Sequence, residues 1–239
     1  MPNHIRNVVK MKGIANLPLY TEEKDLMSGE MMWDFDFNKI IPMPEDLDLT
    51  ESSIFDLAIE AVVRKLNAAK RPYSRQITVA DMNDESYCDS LTNCRETEDE
   101  LLELGLKYIT NVIRFGAATW YDWCQKNWGT KWSAYETRLF DADTLTFTSA
   151  NTPPEPVLAR LSKMYPDVEI EHWWASVSCG ENTGYAKYSG GKLVESVSYD
   201  DYSPDACDTY VICWGETECF YQDEAGHWNC RDCTDFNRC

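Results

Sequence analysis

Asn127-Trp128-Gly129-Thr130-Lys131-Trp132-Ser133-Ala134-Tyr135 is the stretch of this 239-residue chain that decides the fold. It gathers aromatic side chains around one glycine and one lysine. An apolar pattern with helical spacing precedes it over residues 101–125, whereas residues 136–140 and 144–150 alternate between polar and apolar as strands do. The stretch therefore marks the point at which the chain passes from a helical region into a β-sheet.

The remaining patterns predict short strands separated by helices. Residues 4–13 alternate as a strand, residues 31–41 form an extended segment that ends at Pro42, and a helix starts near Thr50. Later in the chain, a helix after Pro153-Pro154, a strand over 168–177 and a hairpin that reaches Ser198 follow one another. This order predicts an α+β fold, with an antiparallel sheet and helices packed on one of its faces.

Several short motifs resemble the YubB-like family of phage and plasmid proteins, which carries a ferredoxin-like domain. The matching motifs are Asn3-His4, Asn38-Lys39-Ile40-Ile41-Pro42-Met43-Pro44, Asn127-Trp128-Gly129-Thr130-Lys131-Trp132, Pro153-Pro154 and Tyr165-Pro166. The resemblance implies a ferredoxin-like domain over residues 1–200, interrupted by an acidic insert at about 81–100. It also implies a genetic setting on a phage or another mobile element. Residues 201–239 lie outside it.

The tail, residues 201–239, holds six of the ten cysteines and is predicted to be a small β-rich appendage without a helix. Cys230 and Cys233 form a Cys-x-x-Cys pair, whose spacing allows two thiolates to bind one zinc ion. Cys213 and Cys219 flank a predicted hairpin turn and could provide the other two ligands of a structural zinc site. Free cysteines, and disulfides in an oxidising compartment, are the alternative interpretations.

The charge balance limits the partners of this protein. Forty-one acidic residues stand against 22 basic ones, which gives a net charge of −19. Such a surface repels phosphates, so direct binding to nucleic acid is not expected. It can instead bind the basic surface of a nucleic-acid-binding protein, although an acidic surface can also serve solubility alone. No apolar run is long enough to span a membrane, and we expect a cytoplasmic protein.

The charge and the resemblance together predict a non-enzymatic accessory protein that inhibits a host defence system, as anti-CRISPR proteins do. Its partner would be a basic host protein, such as a nucleic-acid-binding defence effector. The predicted contact residues are acidic and lie in the insert and in the tail: Asp84, Glu85, Asp89, Glu96, Glu98, Asp99, Glu100, Asp200, Asp201, Asp205 and Asp208.

The alternative function is the binding or sequestration of a small molecule such as a nucleotide. Trp128, Trp132 and Tyr135 could stack on a base while Lys131 binds a phosphate. The competing interpretation assigns these aromatic residues to the core. Signatures of catalysis are missing from the sequence, including a phosphate-binding loop and a nucleophile elbow. His4 and His172 could approach each other across the sheet, but structural roles are favoured, and no residue is predicted to be catalytic.

Overall fold

The computed structural model describes residues 3–24, 31–49, 54–69 and 84–231, apart from some side chains in β2, β3 and α2. The chain divides into two compact units. The first, which we call the sheet unit, comprises Met1–Pro42 and Cys124–Cys239. The second, the helical unit, comprises Met43–Trp123. The division differs from the predicted boundary at residue 200.

The sheet unit contains a six-stranded antiparallel sheet in the order β4-β5-β1-β6-β7-β8. Its first strand, β1 (His4–Met11), lies between β5 and β6, which come much later in the sequence. The other strands are β4 (Tyr135–Leu139), β5 (Thr144–Ala150), β6 (Ile170–Ser176), β7 (Gly184–Ser189) and β8 (Lys192–Ser198). The predicted α+β fold with an antiparallel sheet is therefore confirmed.

One face of the sheet carries the main core. Along β1, Ile5, Asn7, Val9 and Met11 point to this face and are buried. Helix α5 (Glu155–Met164) covers part of it with apolar side chains that recur at helical spacing. Elsewhere on this face four aromatic residues pack together, mostly edge to face: Phe35, Phe37, Trp128 and Phe147.

The opposite face carries a helix that the sequence analysis missed. Helix α6 (Pro204–Trp214) packs on β6, and the Trp214 indole N–H donates to the Ala175 carbonyl at 3.1 Å. A hairpin of β9 (Phe220–Gln222) and β10 (Trp228–Cys230) packs against α6. The prediction of a tail without a helix is therefore wrong, and helices lie on both faces of the sheet.

The amino-acid sequence of α6 explains why this helix was not predicted. Helix α6 begins with Ser203, whose hydroxyl accepts from the Ala206 N–H, followed by Pro204. Its buried positions are occupied by small or polar-looking residues, Ala206, Cys207 and Thr209, with Tyr210 as the only large one. The helix consequently shows little of the amphipathic pattern on which a sequence-based prediction depends.

The first strands after β1 form a separate hairpin, β2 (Tyr20–Lys24) with β3 (Met31–Phe35). The predicted extended segment 31–41 is a strand only as far as Phe35, because Asp36 caps a short 3-10 turn over Phe37–Lys39. The Phe35 N–H donates to the Thr137 hydroxyl at 2.9 Å, which fastens this hairpin to β4.

The helical unit is built on α1 (Ile54–Ala68), α2 (Asp84–Asn93) and α3 (Glu98–Phe115). Helix α4 (Trp120–Asn127) runs across the boundary between the two units. The acidic insert predicted as a loop over 81–100 is instead largely helical, since it contains α2 and the start of α3. Tyr87 and Leu101 anchor it in the unit's core, and a capping box between Thr97 and Glu100 starts α3.

None of the helices in the described residues is both long and apolar enough to cross a membrane.

The contact between α1 and α3 depends on Gly105. A β-carbon there would lie 2.7 Å from Val62 Cγ2 and would also collide with the Ala58 carbonyl oxygen. We predict that Gly105→Ala destabilises the protein by about 1–3 kcal/mol, because overpacking outweighs alanine's better helix propensity. Urea denaturation measures the change.

Glu103→Ala, on the exposed face of the same helix, is the matched control and should change stability by less than about 0.5 kcal/mol. Stabilisation by Gly105→Ala would show that the two helices do not pack this closely.

Candidate functional sites

A groove with a volume of about 420 Å³ opens on the α6 side of the sheet, between β4, β1 and the end of α6. This volume is within the range of small-molecule sites. The groove is lined by two arginines, two aromatic residues and a set of smaller side chains: Arg6, Arg138, Phe140, Thr146, Val211, Ile212, Cys213, Trp214 and Gly215. We call it the arginine groove.

Arg6 makes two contacts that orient it in this groove. Its guanidinium forms an ion pair with Glu136 at 3.1 Å and stacks over the Trp214 ring at 4.7 Å from the ring centre. The Thr148 hydroxyl donates to the same Glu136 carboxylate at 2.9 Å. These contacts neutralise Arg6 locally and orient its planar group.

Arg138 reaches the groove through an irregularity of β4. The register of the β4–β5 pair shifts between Tyr135 and Arg138, and Glu136 adopts a positive φ of 52°. A bulge of this kind changes the direction of the side chains that follow it. Arg138 is exposed and forms no ion pair with any described residue. Together with the 74% exposed Phe140, it gives the groove a cation and an aromatic surface that could contact an anionic ligand.

Trp128, one of the residues of the predicted tryptophan–lysine pocket, belongs to the core. Trp128 is 3% exposed, packs against Phe37, and donates its indole N–H to the Ile41 carbonyl at 2.9 Å. Lys131 lies over the ring of its neighbour Trp132. The Tyr135 hydroxyl is 2.7 Å from His4 Nδ1. The core interpretation of Trp128 is therefore correct, and this residue offers no face to a nucleotide.

A buried polar cluster lies at the centre of the sheet. Asn7 Nδ2 donates to the Ile5 carbonyl and to Ser149 Oγ, so its Oδ1 is left to accept from His172 Nε2 at 3.0 Å. His172 Nδ1 has no hydrogen-bond partner. Burial lowers the pKa of His172 to about 3, so the ring is neutral near pH 7. His172 and His4 do not meet, because β1 directs His4 to the other face.

The acidic residues predicted to bind a partner occupy several local environments. Glu98 and Asp99 are exposed in the first turn of α3, where a carboxylate interacts favourably with the helix dipole and stabilises the helix. Glu100 closes the capping box, which lowers its pKa through hydrogen bonds from Thr97. Glu96 accepts from the Cys94 thiol at 3.0 Å. Three further residues, Asp84, Glu85 and Asp89, belong to α2, but their side chains lie outside the described part of the structure.

The tail acids follow β8. Asp200 and Asp205 are exposed, whereas Asp201 accepts from the Asn182 N–H at 3.1 Å. Asp208 has a structural role, because it accepts from the Trp228 N–H at 2.7 Å and from His227 Nδ1 at 2.9 Å. Asp208 therefore fastens the β9–β10 hairpin to α6 and is the least available of the four to a partner.

Three of the four predicted zinc ligands, Cys213, Cys219 and Cys230, pack in one apolar cluster. Across the described residues, however, no three side chains of the types that bind metals are placed to hold an ion. Cys213 also lines the arginine groove. Cys233 lies outside the described residues. Helix α6 continues to Trp214, so Cys213 lies within a helix and not at the hairpin turn that the sequence predicted.

Comparison with known protein families supports the assignment of the fold. Residues 127–214 match a family model described as the ferredoxin-like domain in Api92-like protein. The fold is ferredoxin-like. The matched segment runs from the end of α4 to the end of α6 and contributes five of the six strands of the sheet, so only β1 comes from elsewhere in the chain.

The crystal structure of the protein api92 from Yersinia pseudotuberculosis is also similar. The alignment covers 84% of this chain and 99% of that one, with 13% sequence identity and a TM-score of 0.35. No curated protein matches the chain.

The arginine groove was missed in the sequence because its parts are distant in the chain. Arg6, Arg138 and Trp214 come from β1, β4 and α6, and no spacing rule connects them. The bulge that exposes Arg138 also interrupts the alternation of β4. The one sequence feature that could have indicated the groove is the presence of two arginines on predicted strands of a strongly acidic protein.

Proposed function

We propose that this protein is a non-enzymatic accessory protein of a phage or other mobile element, and that it inhibits a host defence system by binding a basic nucleic-acid-binding protein. The observation that carries the proposal is a set of exposed carboxylates, Glu98, Asp99, Asp200 and Asp205, that form no ion pair with any described residue. Their charge is thus available to an external cation.

The physics of this function is charge complementarity. A channel that binds nucleic acid is lined by lysine and arginine, and carboxylates can occupy the positions of phosphates there. The net charge of −19 would accelerate the encounter with such a channel and keep this protein off nucleic acid itself. Binding should therefore weaken as the salt concentration rises. The resemblance of its motifs to the YubB-like family of phage and plasmid proteins supports the proposed genetic setting.

The first experiment measures DNA cleavage by a panel of purified RNA-guided nucleases in the presence of the protein. We expect the wild type to inhibit at least one effector. The combined variant Glu98→Lys, Asp99→Lys and Asp200→Lys should raise the inhibitory concentration at least about tenfold, which corresponds to about 1.4 kcal/mol of binding free energy. Circular dichroism checks its folding, because lysine in the first turn of α3 costs about 0.3–1 kcal/mol per site.

The matched control reverses three exposed acids elsewhere, Asp167→Lys, Glu195→Lys and Glu224→Lys, and so makes the same change in net charge. It should inhibit nearly as well as the wild type. An equal loss of inhibition in both variants would show that inhibition depends only on the net charge and not on these three residues. A lack of inhibition by the wild type across the whole panel would contradict a role as an inhibitor of these effectors.

A second candidate function is the binding of a nucleotide or similar anion, and the arginine groove favours it over the predicted tryptophan–lysine pocket. Arg6 is already paired with Glu136, so Arg138 would supply the charge that meets a phosphate. Phe140 and Trp214 would offer aromatic surface to a base. A groove of about 420 Å³ has room for a mononucleotide.

Isothermal titration calorimetry with nucleoside monophosphates tests this candidate. Arg138→Ala should weaken binding about tenfold, since a charge-assisted hydrogen bond contributes about 1.5–3 kcal/mol. Arg160→Ala, at an exposed position on α5, should leave the affinity unchanged. Equal affinities for wild type and Arg138→Ala would exclude the groove as the binding site.

A further inference from the structure

The two sides of the arginine groove differ in polarity. On the β4 side, Arg138 is exposed and forms no ion pair with any described residue. On the other side lies the C-terminal end of α6, whose residues 211–214 line the groove together with Gly215. Nucleotide binding as argued above uses the cation and gives this helix end no role.

The end of α6 presents carbonyl groups without partners. The last four carbonyls of an α-helix have no partner within the helix itself. The Val211 carbonyl accepts from the Gly215 N–H at 2.9 Å. No described donor reaches the remaining three, which belong to Ile212, Cys213 and Trp214. The chain leaves the helix at Gly215 with a φ of 90°, and a β-carbon added there would contact nothing within 4 Å, so the space beside it is open.

The partial charge of this helix end is not balanced by its own side chains. Aligned peptide dipoles leave a partial negative charge at the C-terminus of a helix. Basic residues in the last turn would offset this charge, and α6 has none there. Arg6 lies over the Trp214 ring, but its guanidinium donates to Glu136 at 3.1 Å. The helix end therefore favours a hydrogen-bond donor and disfavours an anion.

The sheet sets the distance between the two sides of the groove. Strand β4, which carries Arg138, pairs with β5, and β5 pairs with β1, whose Arg6 contacts Trp214. Neighbouring strands lie about 4.8 Å apart, so the cation and the helix end are separated by about 10 Å. The phosphate of a mononucleotide and the far edge of its base span a similar distance.

We infer that the arginine groove selects nucleotides whose base carries an exocyclic amino group. This inference rests on the second candidate function, nucleotide binding in the same groove, and adds the class of base. The phosphate binds at Arg138, the base lies against Phe140, and the amino group donates to the carbonyls at the end of α6. The reverse orientation is disfavoured, because it places the phosphate against the negative end of the helix.

A base without this amino group leaves the helix end unsatisfied. In purine riboside a hydrogen atom replaces the amino group of adenosine, so the carbonyls lose water without gaining a donor. In inosine and uridine an oxygen takes the place of the amino group, and two acceptors then face each other. A site that is built to bind a donor discriminates strongly against an analogue that lacks it.

Isothermal titration calorimetry of the full-length protein with AMP and purine riboside monophosphate tests the inference. The two ligands differ only in the amino group of the purine ring. We expect AMP to bind at least about tenfold more tightly. Arg138→Ala should weaken both ligands by the same factor, because it acts on the phosphate and leaves the base contacts intact. Adenosine, which has no phosphate, should bind Arg138→Ala and the wild type equally.

Nuclear magnetic resonance of isotope-labelled protein locates the amino group. The carbonyl resonances of Ile212, Cys213 and Trp214 should shift when AMP binds and should shift less with purine riboside monophosphate. The carbonyls of Lys163 and Met164, at the C-terminal end of α5, are the matched control and should respond to neither ligand.

Three results would contradict the inference, and they differ in what they leave standing. Equal affinities for AMP and purine riboside monophosphate would overturn the selection of an amino group but keep nucleotide binding. A preference for AMP without a response of the α6 carbonyls would show that the amino group is recognised elsewhere. If neither ligand binds, nucleotide binding itself is wrong, and the inference is wrong with it.

Discussion

The insertion of β1 between β5 and β6 is the constraint on which the sheet unit depends. β1 comes from the start of the chain and pairs with strands that follow it by well over one hundred residues. At its centre, Asn7 joins both neighbours, through Ser149 on β5 and His172 on β6. A shift of one residue in register would move Asn7 to the other face and leave His172 without its partner. The buried polar cluster thus specifies one register where apolar residues alone would allow several.

This arrangement also places the functional features. The same strand that buries Asn7 on one face presents Arg6 on the other, where Trp214 and Glu136 hold it. The groove is therefore a consequence of β1 pairing and of α6 packing over β6. Cys207 and Tyr210 of the same helix pack in one apolar cluster with Ala175, Cys219 and Phe220. Of the exposed acids proposed to bind a partner, Glu98 and Asp99 lie in the first turn of α3 and Asp205 in that of α6, where carboxylates also stabilise the helices. Asp200 precedes α6.

Sequence patterns predicted the parts of the fold that follow a regular period. The transition at Asn127–Tyr135 is confirmed, because α4 ends at Asn127 and β4 begins at Tyr135. Helix α6 escaped prediction because cysteine, alanine and threonine take the places of large apolar residues on its buried side. The acidic stretch resembled a loop, since its many charged residues conceal the few apolar anchors of α2, which include Tyr87 and Leu91. The groove could not be predicted at all, because its residues meet only through tertiary pairing and a bulge.

The most direct test of this account is a double-mutant cycle on Asn7 and His172, with stability measured by urea denaturation. Asn7→Leu alone leaves His172 Nε2 without its buried partner and should cost about 1–3 kcal/mol. The double variant Asn7→Leu with His172→Leu should be more stable than the sum of the single effects predicts, by at least about 1 kcal/mol. Strictly additive effects would contradict the claim that this hydrogen bond holds β1 in register at the centre of the sheet.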